Sequence, residues 1–187
     1  MSVRHLSIVS GIAGLFPLAL VIISYTLPSV ELMAQRGGSL HALFGFINIA
    51  SLILFSVFVS GFVSLGVKIR SRLLVISSAI TIIDVVLVCG FVIASLIFPT
   101  LGQSAVFVAK VAQVVESVAC IWGAAALIIR SELGALAKAA GWIEFLMAMS
   151  LLIFPYGNSN LYFQAMFMLF GVLLLRKKGD TMIQTAA

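Results

Sequence analysis

Apolar residues are arranged along this chain in six long runs, which short polar segments separate. The runs cover residues 7–27, 40–66, 73–98, 104–129, 137–155 and 161–175. A helix needs about 20 apolar residues to cross the hydrocarbon core of a bilayer, so the first four runs are long enough and the fifth is just adequate. The sixth run is short and needs flanking residues or a thinned bilayer. The pattern therefore predicts an all-α membrane protein with six transmembrane helices in a single domain, residues 1–187.

The basic residues between these runs and at their ends are concentrated on one side of the predicted membrane. Nine Lys and Arg side chains lie there, and the opposite side has only Arg36; the nine are Arg4, Lys68, Arg70, Arg72, Arg130, Lys138, Arg176, Lys177 and Lys178. By the positive-inside rule, both termini are expected in the cytoplasm. Because most connections are short, consecutive helices are expected to pair as three antiparallel hairpins. The expected location is the cell (plasma) membrane.

The composition agrees with a membrane protein and narrows its partners. The chain is 63% hydrophobic and 9% charged, whereas soluble domains are about half apolar and about a quarter charged. The formal net charge of +5 suits basic loops that face anionic lipid headgroups. We therefore expect contact with the lipid bilayer and no binding of nucleic acid.

Ionisable side chains inside the predicted spans are the main candidates for function, because such residues are unfavourable in lipid. Asp84 and Glu116 lie near the middle of the third and fourth spans, at similar depth. Two adjacent carboxylates cannot both stay ionised at low dielectric, which suits a proton path. Lys110 and Gln113 share a helix face with Glu116, and Lys110 is a candidate for charge compensation. Glu144, in the fifth span, is a further candidate, although we expect its carboxylate to reach the inner membrane interface.

Small residues at regular spacing predict close contacts between helices. Ser56, Ser60 and Ser64 are spaced by four residues in the second span. Ala119 and Gly123 form a similar short ridge in the fourth span. Ridges of small side chains allow helix backbones to approach each other within a membrane. These five residues are therefore predicted to serve helix packing.

The sequence lacks the motifs of membrane enzymes and of metal or cofactor sites. It contains no Walker loop, no G-x-S-x-G turn and no H-E-x-x-H motif. The two histidines, His5 and His41, are too few for a haem or a metal cluster. The cysteines Cys89 and Cys120 differ too much in predicted depth to form a disulfide. We expect no enzymatic activity, no cofactor and no bound metal.

Two functions from different classes remain open. The preferred one is a non-catalytic accessory subunit of a larger membrane complex, possibly respiratory or energy-converting, with other membrane subunits or further copies of the chain as partners. The alternative is a small proton-coupled transporter or channel that uses the intramembrane carboxylates. A subunit should hold Asp84 and Glu116 in hydrogen bonds. A carrier should place its carboxylates around a water-accessible cavity between its own helices.

Overall fold

The protein is all-helical wherever its structure is described. The computed structural model describes Val9 and residues 39–97, 102–153 and 159–184. These ranges contain five α-helices: α1 (Ser39–Lys68), α2 (Arg72–Ile97), α3 (Gly102–Ile129), α4 (Ala135–Ile153) and α5 (Ser159–Gln184). A short 3-10 turn, Ser131–Leu133, joins α3 to α4. The first predicted span, residues 7–27, lies outside the described residues apart from Val9.

Three of the described helices contain segments that are long and apolar enough to cross a membrane. These segments are Arg72–Phe91 in α2, Lys110–Ile129 in α3 and Ala135–Ile153 in α4. They correspond to the third, fourth and fifth predicted spans. A shorter apolar helix, Leu52–Lys68, lies in α1. Large apolar side chains also face outward, as expected in lipid: Phe107 is 69% exposed and Trp142 is 56% exposed.

The last helix is longer than its apolar run. The run ends at residue 175, but α5 continues through Arg176 and Lys177 to Gln184. Arg, Lys, Met and Gln all have good helix propensity, and the single Gly179 in this segment disfavours a helix by only about 1 kcal/mol. The end of hydrophobicity therefore does not coincide with the end of this helix.

Each helix packs against the helix that follows it in the chain, and α5 also contacts α1. Phenylalanines contribute to the α1–α5 contact: the rings of Phe58 and Phe167 meet edge to face at 6.2 Å, and those of Phe62 and Phe167 are stacked at 5.7 Å. Edge-to-face and stacked pairs of this kind add about 0.5–1.5 kcal/mol beyond burial. This cluster brings the first and last described helices together across the bundle.

The turn between α1 and α2 has the geometry of a helix-ending Schellman motif. Arg70 adopts a left-handed conformation with φ of 53°, and the Ser71 N–H donates to the Gly66 carbonyl at 2.8 Å. The Ser71 hydroxyl then accepts from the Leu74 N–H at 3.4 Å, which caps the start of α2. The turn before α4 places a glycine, Gly134, at the corresponding left-handed position, with φ of 81°.

The two basic turns lie at the same end of the bundle. Arg130, after α3, donates from Nη2 to the Arg70 carbonyl at 3.4 Å. Arg130 also forms an exposed ion pair with Glu132 at 3.0 Å. The turn between α1 and α2 is therefore in direct contact with the turn between α3 and α4.

Glycines make the closest helix contacts in the described bundle. A Cβ atom at Gly141 would lie 2.9 Å from the Ala124 carbonyl oxygen, and one at Gly171 would lie 2.6 Å from Cζ of Phe58. These two glycines allow α4 to approach α3 and α5 to approach α1. Their packing role was not predicted, because the sequence around an isolated glycine in a helix does not indicate which other helix it contacts.

The residues that were predicted to pack helices are placed as follows. Ala119 is 1% exposed and Gly123 is buried. Ser56, Ser60 and Ser64 are partly buried. The first two donate their hydroxyl protons to carbonyls of their own helix, at 3.1 and 2.6 Å.

Candidate functional site

The centre of the bundle contains a small, largely enclosed cavity of about 20 Å³ to which all five described helices contribute. Its polar lining consists of Ser77, Ser78 and Thr81 from α2, Cys120 from α3 and Glu144 from α4. The walls from α1 and α5 are apolar and include phenylalanines of the cluster described above. The cavity therefore combines one ionisable carboxyl group with three hydroxyl groups in otherwise apolar surroundings.

Glu144 is buried in this bundle, with 8% of its surface exposed. Its Oε2 atom has no hydrogen-bond partner in the described part of the chain. Burial between helices does not set the depth of Glu144 in the membrane, so the expectation that it reaches the inner interface stays a prediction. Ala137, Ala140 and Gly141 lie buried on the same helix, so that α4 packs closely and the Glu144 carboxyl group turns inward.

Gly123 provides the space that the Glu144 carboxyl group occupies. A Cβ atom at position 123 would lie 2.7 Å from Oε1 of Glu144 and 3.2 Å from Oγ of Ser77. Both distances are shorter than ordinary contacts, so a larger residue would displace the carboxyl group or the hydroxyl group. Gly123 thus serves the geometry of the site as well as helix packing.

Two hydroxyl groups of the cavity are already used as donors. Ser77 donates to the Leu74 carbonyl at 3.1 Å, and Thr81 donates to the Ser77 carbonyl at 3.2 Å. A hydroxyl group has one donor and two acceptor lone pairs, so these two oxygens remain available as acceptors. The lining residues that the structure describes include no Lys or Arg. They therefore offer a few oxygen acceptors on a mostly apolar wall, and no positive charge.

Asp84 and Glu116 lie near each other, as their matching depths predicted. Their carboxyl groups are close enough for their negative charges to repel each other. Asp84 is 7% exposed and Glu116 is partly buried. The Cys120 thiol lies within electrostatic range of Asp84, Glu116 and Glu144. The structure thus gathers three intramembrane carboxyl groups around one position of α3.

Asp84 also borders a second, more open space. A groove of about 290 Å³ between α2 and α3 is lined by apolar side chains and by Asp84 as its single polar residue. The Asp84 carboxyl group therefore lies at the wall of an otherwise apolar groove.

Lys110 does not compensate the charge of these carboxyl groups in this structure. Its side chain is exposed on α3. The ion pair between Arg130 and Glu132 does not involve Lys110. Of the three residues on this face, Lys110 is exposed, whereas Gln113 and Glu116 are partly buried.

Gln113 connects α3 to the end of α4. Its Nε2 atom donates to the Leu151 carbonyl at 3.1 Å. In a continuing helix this carbonyl would accept from the N–H of residue 155, but that residue is a proline and has no N–H. Gln113 supplies the missing donor, so its placement indicates helix packing. It does not border the central cavity.

Some residues of the site were not singled out from the sequence. Ser78 and Phe167 line the cavity, and Phe55 and Phe62 complete its apolar wall. Phe55, Phe58 and Phe62 recur at helical spacing, a signal for one shared face of α1. Nothing in that spacing indicates that the face meets Glu144.

Comparison with known proteins adds no assignment to this geometry. No family model matches the chain, and no curated protein and no solved structure matches it. Within the described ranges, no group of three or more His, Cys, Asp or Glu side chains could hold a metal ion. The functional argument therefore rests on the carboxyl groups and the cavity.

Proposed function

We propose that this chain is a small proton-coupled carrier of the membrane, with Glu144 as its central proton-binding group. The observation that carries the proposal is the position of Glu144: it is buried, it borders a cavity between helices, and its Oε2 atom lacks a partner among the described residues. Asp84 and Glu116 are proposed as further carboxyl groups on the same path. The position of Glu144 thus favours a proton-coupled transporter over an accessory subunit.

The lack of a described hydrogen-bond partner for Oε2 of Glu144 distinguishes the two functions. Buried polar groups in proteins are nearly always hydrogen-bonded, and the exceptions call for an explanation. A carboxyl group retained only for helix packing gains its stabilising effect from such bonds. A group that binds and releases a proton must instead be able to exchange its partner. The surroundings of Glu144 favour the second role.

In the proposed arrangement, six transmembrane helices form three antiparallel hairpins, and both termini lie in the cytoplasm. The proposed location is the plasma membrane. The contact between Arg130 and the Arg70 carbonyl supports this arrangement, because it joins two basic turns at one end of the bundle. Basic residues on one end agree with the positive-inside rule. In this arrangement, the first predicted span completes the first hairpin with α1.

Proton flux into liposomes tests the carrier proposal. Purified protein would be reconstituted into vesicles that contain a pH-sensitive dye, and flux would be driven in turn by gradients of Na⁺, by gradients of K⁺ and by a potassium potential with valinomycin. We expect the wild type to acidify the vesicles faster than protein-free vesicles. The proton flux of the Glu144→Gln variant should be at least about tenfold lower than that of the wild type, because an amide of the same shape cannot carry the proton.

The control is Glu132→Gln, which makes the same chemical change at an exposed residue outside the cavity. It should retain the wild-type flux. A wild type that moves no protons under any imposed ion gradient or potential would refute the carrier proposal. Equal flux in the wild type and Glu144→Gln would refute the role of Glu144.

An accessory subunit of a larger membrane complex is the second candidate, and the groove at Asp84 favours it. This groove is open, apolar and lies between α2 and α3, with a single carboxyl group at its wall. A polar side chain on a helix from another membrane subunit, or from a second copy of this chain, could bond to that carboxyl group. Extraction from native membranes in mild detergent would distinguish the cases: co-migration with several different proteins supports the subunit, and isolation alone or as a homo-oligomer contradicts it.

A further inference from the structure

We infer that the cavity beside Glu144 binds one small monovalent cation, with Na⁺ as the ion of fitting size, in exchange for the Glu144 proton. This inference rests on the proposed carrier function and names the ion that would be coupled to the proton. It depends on the size of the cavity, on the chemistry of its lining and on its charge.

The size of the cavity admits one water-sized guest. A site needs about 10–15 Å³ of space to hold one water molecule, and this cavity offers about 20 Å³. A dehydrated Na⁺ ion is of comparable size to a water molecule. A hydrated ion or an organic solute would not fit between the helices without a larger opening.

The lining supplies the ligand type that a hard cation prefers. Carboxylate and other oxygen atoms suit such ions, whereas thiolates suit softer metals. Glu144, Ser77, Ser78 and Thr81 contribute oxygen atoms to the cavity. Because the Ser77 and Thr81 protons point to backbone carbonyls, their lone pairs are the part of the hydroxyl group left to face a guest. A site built from acceptors binds either a donor or a cation.

The charge of the site limits the guest to one positive charge. The ionised Glu144 carboxylate carries one negative charge, and the described part of the cavity wall includes no Lys or Arg side chain. A buried charge is strongly unfavourable unless it is neutralised. Two states satisfy this condition: a neutral carboxyl group, or a carboxylate with one bound monovalent cation. Exchange between them releases one Na⁺ for each proton taken up and involves no redox step.

The titratable group that faces Glu144 from another described helix is the Cys120 thiol of α3, which also lines the cavity. Asp84 on α2 and Glu116 on α3 lie within electrostatic range of each other and of Cys120. The described residues that α1 and α5 contribute to the cavity are apolar. The pH dependence of binding is therefore assigned to Glu144.

Equilibrium binding of radioactive sodium to the purified full chain in detergent tests this inference. Measurements would use choline buffers over a range of pH, with the wild type, Glu144→Gln, Ser77→Ala and the exposed control Glu132→Gln. We expect one Na⁺ per wild-type chain and an affinity that falls by about tenfold per pH unit in acid, where the proton occupies Glu144. Glu144→Gln should lose saturable binding, Ser77→Ala should weaken it several-fold, and Glu132→Gln should match the wild type.

Circular dichroism of Glu144→Gln confirms that the variant is folded before its binding is interpreted. Absence of saturable Na⁺ binding in the wild type, or equal binding in Glu144→Gln, would overturn the inference. The carrier proposal and the cation site are refuted by different results. Sodium binding without any proton flux would support the cation site and refute the carrier proposal. Proton flux through Glu144 without sodium binding would keep the carrier and refute the cation site.

Discussion

Substitution of Gly141 by alanine tests the close contact between α3 and α4. The added Cβ atom would lie 2.8 Å from Cγ1 of Ile128 and 2.9 Å from the Ala124 carbonyl oxygen. Ordinary contacts between carbon atoms are about 3.5–4.0 Å. The Ile128 side chain can rotate away, but the Ala124 oxygen belongs to a helix backbone. Helix α4 must therefore move away from α3 by roughly half an ångström or more.

The magnitude follows from two opposing effects. Overpacking of a well-packed interior destabilises by about 1–3 kcal/mol, while replacing glycine by alanine within a helix stabilises by up to about 1 kcal/mol. Gly90→Ala isolates the second effect, because a Cβ atom at Gly90 meets no atom within 4 Å. Gly141→Ala should therefore be less stable than Gly90→Ala by about 1–3 kcal/mol, or about 5-fold to 150-fold in the unfolding equilibrium constant.

The assay is unfolding by SDS in mixed micelles, followed by circular dichroism. The free energy of unfolding would be compared between the two variants under identical micelle composition. Equal stability of Gly141→Ala and Gly90→Ala would refute the close contact between Gly141 and Ala124. A destabilised Gly90→Ala would instead refute the description of Gly90 as a position with open space around it.

The remaining predictions concern the turns and the end of α4. Gln113→Leu should lower the free energy of unfolding by about 1 kcal/mol, because the Leu151 carbonyl loses its donor; unchanged SDS unfolding would contradict this role. Arg70→Gly should raise the free energy of unfolding by about 1 kcal/mol in the same assay, since glycine adopts the left-handed conformation without strain. A lower free energy of unfolding would contradict the left-handed conformation of Arg70. Glu132→Cys, in a variant without the native cysteines, should react with a membrane-impermeant thiol reagent in inside-out vesicles and stay unlabelled in intact cells; the reverse pattern would invert the proposed orientation.

The helices illustrate what local sequence can predict. The third, fourth and fifth apolar runs coincide with the three membrane-spanning candidates, because apolar length is a property of consecutive residues. The end of α5 could not be inferred from hydropathy, since the helix continues into residues that are polar and still favour helix formation. Depth along the helix was also readable from the sequence, and it correctly brought Asp84 and Glu116 near each other.

The site shows where local information ends. Glu144 was predicted to be shallow because it lies two residues beyond Trp142, and that position gives no sign that its carboxyl group lies against Gly123 in the bundle. Lys110 shares a helix face with Glu116 by spacing, yet it is exposed. In both cases, the rotation of a helix about its own axis decides what the side chain meets, and contacts with other helices determine that rotation.

By itself, the sequence determined the membrane class, the location of the apolar helices and the concentration of basic residues in particular turns. Only the tertiary structure decided which carboxyl group faces the central cavity. In water, a helix turns its apolar face inward, so the polarity pattern reveals its orientation. In lipid, the outer face is apolar as well, and small residues such as Gly141 select the buried face by close packing with a distant segment. That selection depends on shape, which the polarity of a single chain does not record.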